Sequence, residues 1–329
     1  MLNYDKKFVI TIAIGSLLVL TGIFFAKDKS KESAYSDKTI QVADVSKALE
    51  ENSASLDESI YHVPKSTYKR GLNLIFFSDG YLSWDDFEKD IDLVLRGMQS
   101  VEPWRSFTRL NVYKIRPKEL DLCGIKVENE RKPVIRCSPE ALNSYLNKLF
   151  LDNNFKLVLL SRRDFQSWAN VVRIADSGIF MSIPQSPQEE GGEQVIGIQF
   201  LHLLGHAFGL KDEELFVIAK ADAAVMKPDG PNCAPNKKTA EKWWGHLVEK
   251  FPNRVGYFQG CSGKKEYVMP TEGSLMNLGD LVKFSPDYGP VSEEYLNKLL
   301  KFCFSETTYK ESDDSKFFEM YSEFKACLN

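Results

Sequence analysis

Apolar and polar positions alternate along the central chain in two periods, one typical of strands and one of helices. Apolar runs that stop at turn residues predict strands at 71–80, 110–115, 155–160 and 178–183. Helical spacing predicts a helix at 84–98 behind Ser83 as N-cap, and further helices at 139–151, 194–210, 293–303 and in a polar stretch ending near Cys327. Strands and helices alternate, so the predicted fold class is α/β with one sheet layer.

The N-terminal part has a different pattern. Residues 8–25 carry no charge and are enough to span a bilayer, and no cleavage pattern follows them, so 1–26 is predicted to be an uncleaved transmembrane anchor. Residues 27–66 are rich in Lys, Ser, Glu and Asp and are predicted to form a polar tether, with one helical stretch around 42–51. The folded domain is expected at 67–329.

Six cysteines without a CxxC pair favour disulfides over a cysteine-based zinc site. Lysines flank the apolar segment on both sides, so the positive-inside rule does not orient it. Oxidised cysteines would place the C-terminal domain outside the cytoplasm and the N-terminus inside; six reduced, buried thiols are the alternative. The simplest pairing joins sequential cysteines, namely Cys123 with Cys137, Cys233 with Cys261, and Cys303 with Cys327.

The amino-acid composition limits the classes of molecule that the chain is expected to bind. The chain has 43% hydrophobic residues, which excludes disorder throughout. Its 42 Lys and Arg nearly balance 46 Asp and Glu, for a net charge of −4. No basic footprint for a phosphate backbone exists, so nucleic acid is not an expected partner.

The predicted helix 194–210 carries the candidate chemistry. His202 and His206 are four residues apart, which places both imidazoles on one helical face. Gly209 is a natural helix end, and Asp212 follows where the returning chain offers a carboxylate. The tract H-x-x-x-H-x-x-G-x-x-D predicts a site for one zinc ion. The alternative is a core helix whose two histidines are satisfied by hydrogen bonds.

One position departs from a hydrolytic zinc site. In HExxH metallopeptidases, the glutamate after the first histidine takes a proton from the metal-bound water. Here that position is Leu203, which has no titratable group. No catalytic residue is therefore assigned.

Three segments around this tract resemble the IgA-peptidase family of metzincin-like zinc metallopeptidases. They are FFSDGYLSWDDFEKDIDLVLRGMQSVEPW at 76–104, PNCAPNKKTAEKWWGHL at 231–247, and GYFQGCSGKKEYVMPTEGSLMNLG at 256–279. The resemblance implies a mixed sheet with an active-site helix and a Met-turn, behind the N-terminal transmembrane helix. It also implies a polypeptide or glycoprotein as substrate or ligand.

The resemblance assigns further residues. Met276 would form an apolar floor beneath the metal, and Asp212 would be the third ligand, with Glu213 as runner-up. Tyr267 lies in the family's tyrosine-proline stretch, where a buried structural tyrosine is expected rather than an oxyanion-stabilising one. Asn277 stands where family members often have a basic residue.

Three functions follow as alternatives. The favoured one is a membrane-anchored, extracytoplasmic pseudopeptidase that binds zinc and polypeptide with impaired hydrolysis. The second is an active zinc metallopeptidase with a non-standard general base; the nearest carboxylates are Glu193, Glu213 and Glu214, and nearby Gln199 has no titratable proton. The third is a structural or display protein without metal.

Overall fold

The computed structural model of the chain describes residues 60–62, 68, 70–116, 123–128, 132–137, 155–162, 178–182, 192–213, 230–277 and 285–305. All of them belong to a compact unit, Val42–Asn329. Among these residues no helix is both long and apolar enough to cross a membrane. The predicted anchor at 8–25, the helices at 42–51 and 139–151, and the C-terminal helix near Cys327 lie outside the described residues.

Nine strands and four helices make up the described part of the chain. The strands are β1 (Ile60–His62), β2 (Leu72–Asp79), β3 (Leu110–Ile115), β4 (Cys123–Glu128), β5 (Lys132–Cys137), β6 (Phe155–Ser161), β7 (Gly178–Ser182), β8 (Phe258–Cys261) and β9 (Lys264–Met269). The helices are α1 (Trp84–Gln99), α2 (Gly192–Ala207), α3 (Lys237–Lys250) and α4 (Gly289–Phe304).

Five strands form a mixed sheet in the order β1-β3-β2-β6-β7. Strands β3, β2, β6 and β7 run parallel, and β1 pairs antiparallel with β3 at the edge. Every residue of β2 is buried, which explains its nearly continuous apolar run LNLIFFSD. The predicted α/β class is confirmed, and β1 shows that the ordered body includes residues of the segment predicted to be a tether.

Helix α1 begins as the sequence predicts. The Ser83 side chain accepts a hydrogen bond from the Asp86 amide at 3.4 Å, which caps an otherwise unpaired N–H. The buried residues of α1 recur at helical spacing and include Phe87, Ile91, Val94, Leu95 and Met98. This apolar stripe packs α1 onto the core.

Helices α1 and α2 cross at two glycines. A Cβ placed on Gly197 would lie 2.7 Å from the Cα of Gly97, so neither position has room for a side chain. Small residues at a crossing let two backbones approach closely. The position of α2 is therefore fixed partly by this contact with α1.

The turn after β2 is held by buried polar groups. Gly80 has a φ of 70°, which glycine adopts without a Cβ penalty. The Asp79 carboxylate accepts a hydrogen bond from the Ser161 hydroxyl at 2.6 Å, and the Tyr81 hydroxyl donates to Asp90 at 2.7 Å. Asp90 is also paired with Arg162 at 2.7 Å. The Asp-Gly-Tyr segment thus has a structural role that joins β2, β6 and α1.

The C-terminal part holds elements that the sequence pattern missed. Helix α3 and the hairpin β8–β9 fall where only loops were expected, and α4 begins at Gly289, ahead of the predicted start at 293. Hairpin β4–β5 was missed as well. One residue of strand β9 is buried and the others are half-buried or exposed, so the strand has no apolar run to detect.

Two of the six cysteines form a described disulfide. Cys233 and Cys261 are bonded across a sequence separation of 28 residues, as predicted. Cys303 is also disulfide-bonded. The backbones of Cys123 and Cys137 face each other in the β4–β5 register, and their pairing stays a prediction.

Candidate metal centre

Helix α2 brings the two predicted histidines together. The Nε2 atoms of His202 and His206 lie 3.0 Å apart, with ring centroids 4.5 Å apart and planes nearly perpendicular. Each histidine side chain is 14% exposed, so the pair is largely sheltered from solvent. The spacing of four residues therefore converges in space as expected.

Backbone carbonyls orient both rings. His202 Nδ1 lies 3.0 Å from the Leu275 carbonyl oxygen, and His206 Nδ1 lies 2.9 Å from that of Leu210. A carbonyl only accepts, so each Nδ1 carries the proton that it donates. In a neutral ring the Nε2 lone pair is then free to bind a metal, the usual arrangement at histidine metal ligands.

A Schellman turn returns the chain toward the histidines. Gly209 has a φ of 93°, its amide donates to the His206 carbonyl at 3.0 Å, and the Leu210 amide donates to Gly205 at 3.0 Å. Asp212 follows, and its Oδ1 lies 3.3 Å from His202 Nε2 and 3.0 Å from His206 Nε2. Residues 211–213 are called the ligand loop below.

Charge at the cluster is shared between imidazole and carboxylate. Burial favours the neutral form of His206, but the Asp212 carboxylate outweighs burial and raises the pKa of His206. Burial likewise opposes ionisation of Asp212, and the two imidazoles outweigh it, so the pKa of Asp212 lies far below its ordinary value. Asp212 is consequently an anion throughout the neutral range.

Glu213, the runner-up ligand, is placed elsewhere. Its side chain is fully buried and accepts hydrogen bonds from Asn232 at 2.9 Å, Thr271 at 2.9 Å and Ser274 at 2.7 Å. Burial raises the pKa of Glu213 to about 7, although these three donors act to lower it. The carboxylate is thus occupied by the protein itself, and the structure brings Asp212 rather than Glu213 to the histidines.

These three donors were missed by sequence reasoning. Asn232, Thr271 and Ser274 are 19, 58 and 61 residues from Glu213, so no local pattern links them to it. The adjacent acidic residues 212 and 213 were the one sequence signal that pointed to this hydrogen-bond network.

Met276, which follows strand β9 in the chain, packs against α2. It is fully buried, and a Cβ on Gly205, which lies between the two histidines, would come within 2.7 Å of its sulfur. The Glu213 amide also donates to the Met276 carbonyl at 2.9 Å. The residue therefore lies against the helix that carries the histidines, and its role as an apolar floor beneath a metal stays a prediction.

The remaining predicted residues have the following places. Leu203 is 2% exposed, so the position after His202 is filled by core packing. Gln199 is half-buried on α2, and Tyr267 is half-buried on β9. Asn277 is 4% exposed, and its side-chain amide donates to the Glu272 carbonyl at 3.3 Å. The side chains of Glu193 and Glu214 lie outside the described residues.

The three converging atoms fit a tetrahedral cation. Ligand atoms about 2.0–2.1 Å from a tetrahedral zinc lie about 3.3 Å apart. The observed separations among the two Nε2 atoms and Oδ1 are 3.0, 3.0 and 3.3 Å. All three side chains together form a group able to hold a metal ion.

The fold and site define a class: a mixed α/β protein whose buried helix and following turn assemble a two-histidine, one-aspartate cluster. Comparison with protein-family models and with curated proteins gave no match.

Proposed function

We propose that this chain is a zinc-binding pseudopeptidase: a metzincin-like metallopeptidase scaffold that binds polypeptide and is impaired in peptide-bond hydrolysis. The convergence of two Nε2 atoms and one carboxylate oxygen within 3.0–3.3 Å carries the zinc part of the proposal. One zinc ion with three protein ligands would keep a position open, where it acts as a Lewis acid toward a carbonyl group.

The tautomers support zinc over a purely hydrogen-bonded cluster. With both Nδ1 atoms donating to carbonyl oxygens, two neutral rings direct two lone pairs at each other across 3.0 Å. A cation between them and Asp212 relieves that repulsion, and neutral imidazole is the form that metals bind. The alternative to a cation is a second proton on one of the two rings, which would also relieve this repulsion.

Impaired hydrolysis follows from the surroundings of the ligands. Leu203 supplies no proton acceptor, and the Glu213 carboxylate is buried under three donors. General acid-base assistance is worth about two to four orders of magnitude in rate. A zinc ion held by these ligands would still polarise a carbonyl group, and neither Leu203 nor Glu213 is placed to move the proton.

The metzincin-like fold within this proposal rests on the three resembling segments. The packing of Met276 beside the histidine helix and the contact of the Leu275 carbonyl with the His202 ring support a Met-turn at this place. The extracytoplasmic, membrane-anchored location is supported by the uncharged segment 8–25 and by the Cys233–Cys261 disulfide, since disulfides persist in oxidising compartments.

Zinc content tests the proposal. The full-length chain, purified in detergent under oxidising conditions, is expected to contain about one zinc by elemental analysis, as for a single site with three protein ligands and one open position. His202→Ala is expected to lose it, while Gln199→Ala on the same helix keeps it. A parent chain without zinc would favour the structural or display protein.

Cleavage separates the remaining alternatives. The zinc-loaded parent is expected to leave an unfolded polypeptide uncut while retaining it in a pull-down assay. Zinc-dependent cleavage by the parent, abolished in His202→Ala, would establish an active peptidase instead.

A further inference from the structure

Two distant segments hold the ligand loop. The Ser262 amide donates to the Asp212 carbonyl at 2.8 Å. The Asn232 side chain accepts from the Lys211 amide at 2.8 Å, and its amide group donates to the Lys211 carbonyl at 2.8 Å and to Glu213 at 2.9 Å. Every residue of the ligand loop is thus hydrogen-bonded to Asn232 or Ser262, which lie far later in the chain.

A disulfide joins these two segments directly behind the third ligand. Cys233 is the neighbour of Asn232, and Cys261 is the neighbour of Ser262. Cys261 Sγ lies 3.4 Å from the Asp212 carbonyl oxygen and 3.6 Å from that of Asn232. Both sulfur-bearing residues are fully buried, so the bond is part of the packing around the loop.

We propose that the Cys233–Cys261 disulfide positions Asp212 for metal binding, so that the zinc affinity of the site depends on this bond. The inference rests on the proposed zinc site. It adds that the disulfide controls the position of the third proposed ligand, Asp212. A ligand oxygen must stay within a few tenths of an ångström of its place, and the groups that orient metal ligands affect affinity about 10–100-fold.

The disulfide does not hold the segments together alone. Ala234 and Val268 exchange two backbone hydrogen bonds, at 2.8 and 2.9 Å, and these keep the 230–234 segment on β9. Loss of the disulfide is therefore expected to loosen the ligand loop without separating the segments. The histidines are oriented by Leu210 and Leu275 and keep their geometry.

The test is zinc affinity in Cys233→Ala/Cys261→Ala, which leaves no free thiol of this pair to compete for metal. Full-length chains are titrated against a chromophoric chelator, and Co²⁺ absorption reports the number and geometry of ligands. Removal of a disulfide also costs about 2–5 kcal/mol of global stability. Val112→Ala, a buried core position on β3 outside the loop and its partners, controls for general destabilisation.

We expect the double variant to bind zinc about 10–100-fold more weakly, with an altered Co²⁺ spectrum, and Val112→Ala to keep parental affinity. Equal affinity in the double variant and the parent would overturn this inference and leave the zinc site intact. A parent that binds no zinc would overturn the proposed function and the inference with it. Should the double variant not fold, Cys233→Ser/Cys261→Ser, which nearly keeps the volume of the pair and also removes the bond, takes its place; parental affinity there would overturn the inference in the same way.

Discussion

At His202 and His206, two backbone carbonyls decide which ring nitrogen faces the cluster. Both carbonyls belong to residues outside the helix that carries the histidines, Leu275 and Leu210. The rings are thus set by the surrounding chain before any ligand arrives, which lowers the entropic cost of binding.

Glu213 is expected to be the residue on which the ligand loop depends most. Glu213→Ala leaves Asn232, Thr271 and Ser274 without their acceptor around a cavity, and we expect a loss of about 3 kcal/mol in the free energy of unfolding. Glu213→Gln keeps the shape, and the two hydroxyls can turn to accept, so its loss is expected to be smaller. Urea denaturation measures both, and equal losses would contradict a hydrogen-bonding role.

The sequence predicted which three candidate ligands come together, but not the residues that support them. His202, His206 and Asp212 lie within one helix and its following turn, so local periodicity placed them correctly. The environment of Glu213 depends on residues up to 61 positions away, and the close approach of Ser262 to Asp212 depends on a hairpin with no apolar run. Such contacts arise from tertiary packing, which the pattern of a single segment does not contain.

At the scale of elements, α2 is apolar nearly all round because it is covered by other parts of the body. Gly197 meets α1, and Gly205 meets Met276 and Tyr288. The Tyr288 hydroxyl also reaches the Leu201 carbonyl. Because α2 is packed on several sides, it holds His202 and His206 on a rigid element.

This confinement gives a prediction for the position after His202. Leu203→Glu places a carboxylate where the side chain is 2% exposed, and we expect a loss of about 3 kcal/mol in the free energy of unfolding. Leu203→Met, which conserves volume and lacks charge, is expected to lose less than about 1.5 kcal/mol. Thermal and urea unfolding compare the two. A Leu203→Glu chain that is as stable as the parent and newly able to cleave polypeptide would show that position 203 faces the proposed metal site and not the core.

The four parallel strands of the central sheet and the helices α1 and α2 were predicted closely because each has an apolar pattern bounded by a cap or turn. Strand β3 matches its predicted bounds, and α1 starts at the residue after its predicted cap. The short elements β1, β4, β5, β8 and β9 were missed because they lack the apolar runs by which the equally short strands β3 and β7 were predicted.

For the whole molecule, the proposed zinc ion would compete with protons for the same histidine nitrogens. The pKa of His206 is raised, so this residue contributes stability to the metal-free chain below its unfolded pKa, and the contribution is lost as pH rises through the folded pKa. Asp212, with its lowered pKa, stays charged across the same range. Zinc binding requires neutral imidazoles and therefore strengthens as pH rises.

We expect the increase in Tm on adding zinc to be small near pH 5 and to grow toward about pH 8, with affinity rising about tenfold per pH unit for each proton displaced. Differential scanning fluorimetry with zinc or with chelator measures this increase, and His206→Ala should show none. An increase that stays constant across this range would contradict metal binding through the two imidazoles.

The crossing of Gly97 and Gly197 has a consequence for how this protein varies among its relatives. Since each glycine occupies the space that the other's Cβ would need, a larger residue at either place has no compensating change at its partner, which is already the smallest residue. Chains that share this architecture should therefore keep both positions small together, and a lineage that enlarges one should show the two helices further apart. That paired constraint gives a way to recognise distant relatives in which the histidines themselves have been replaced.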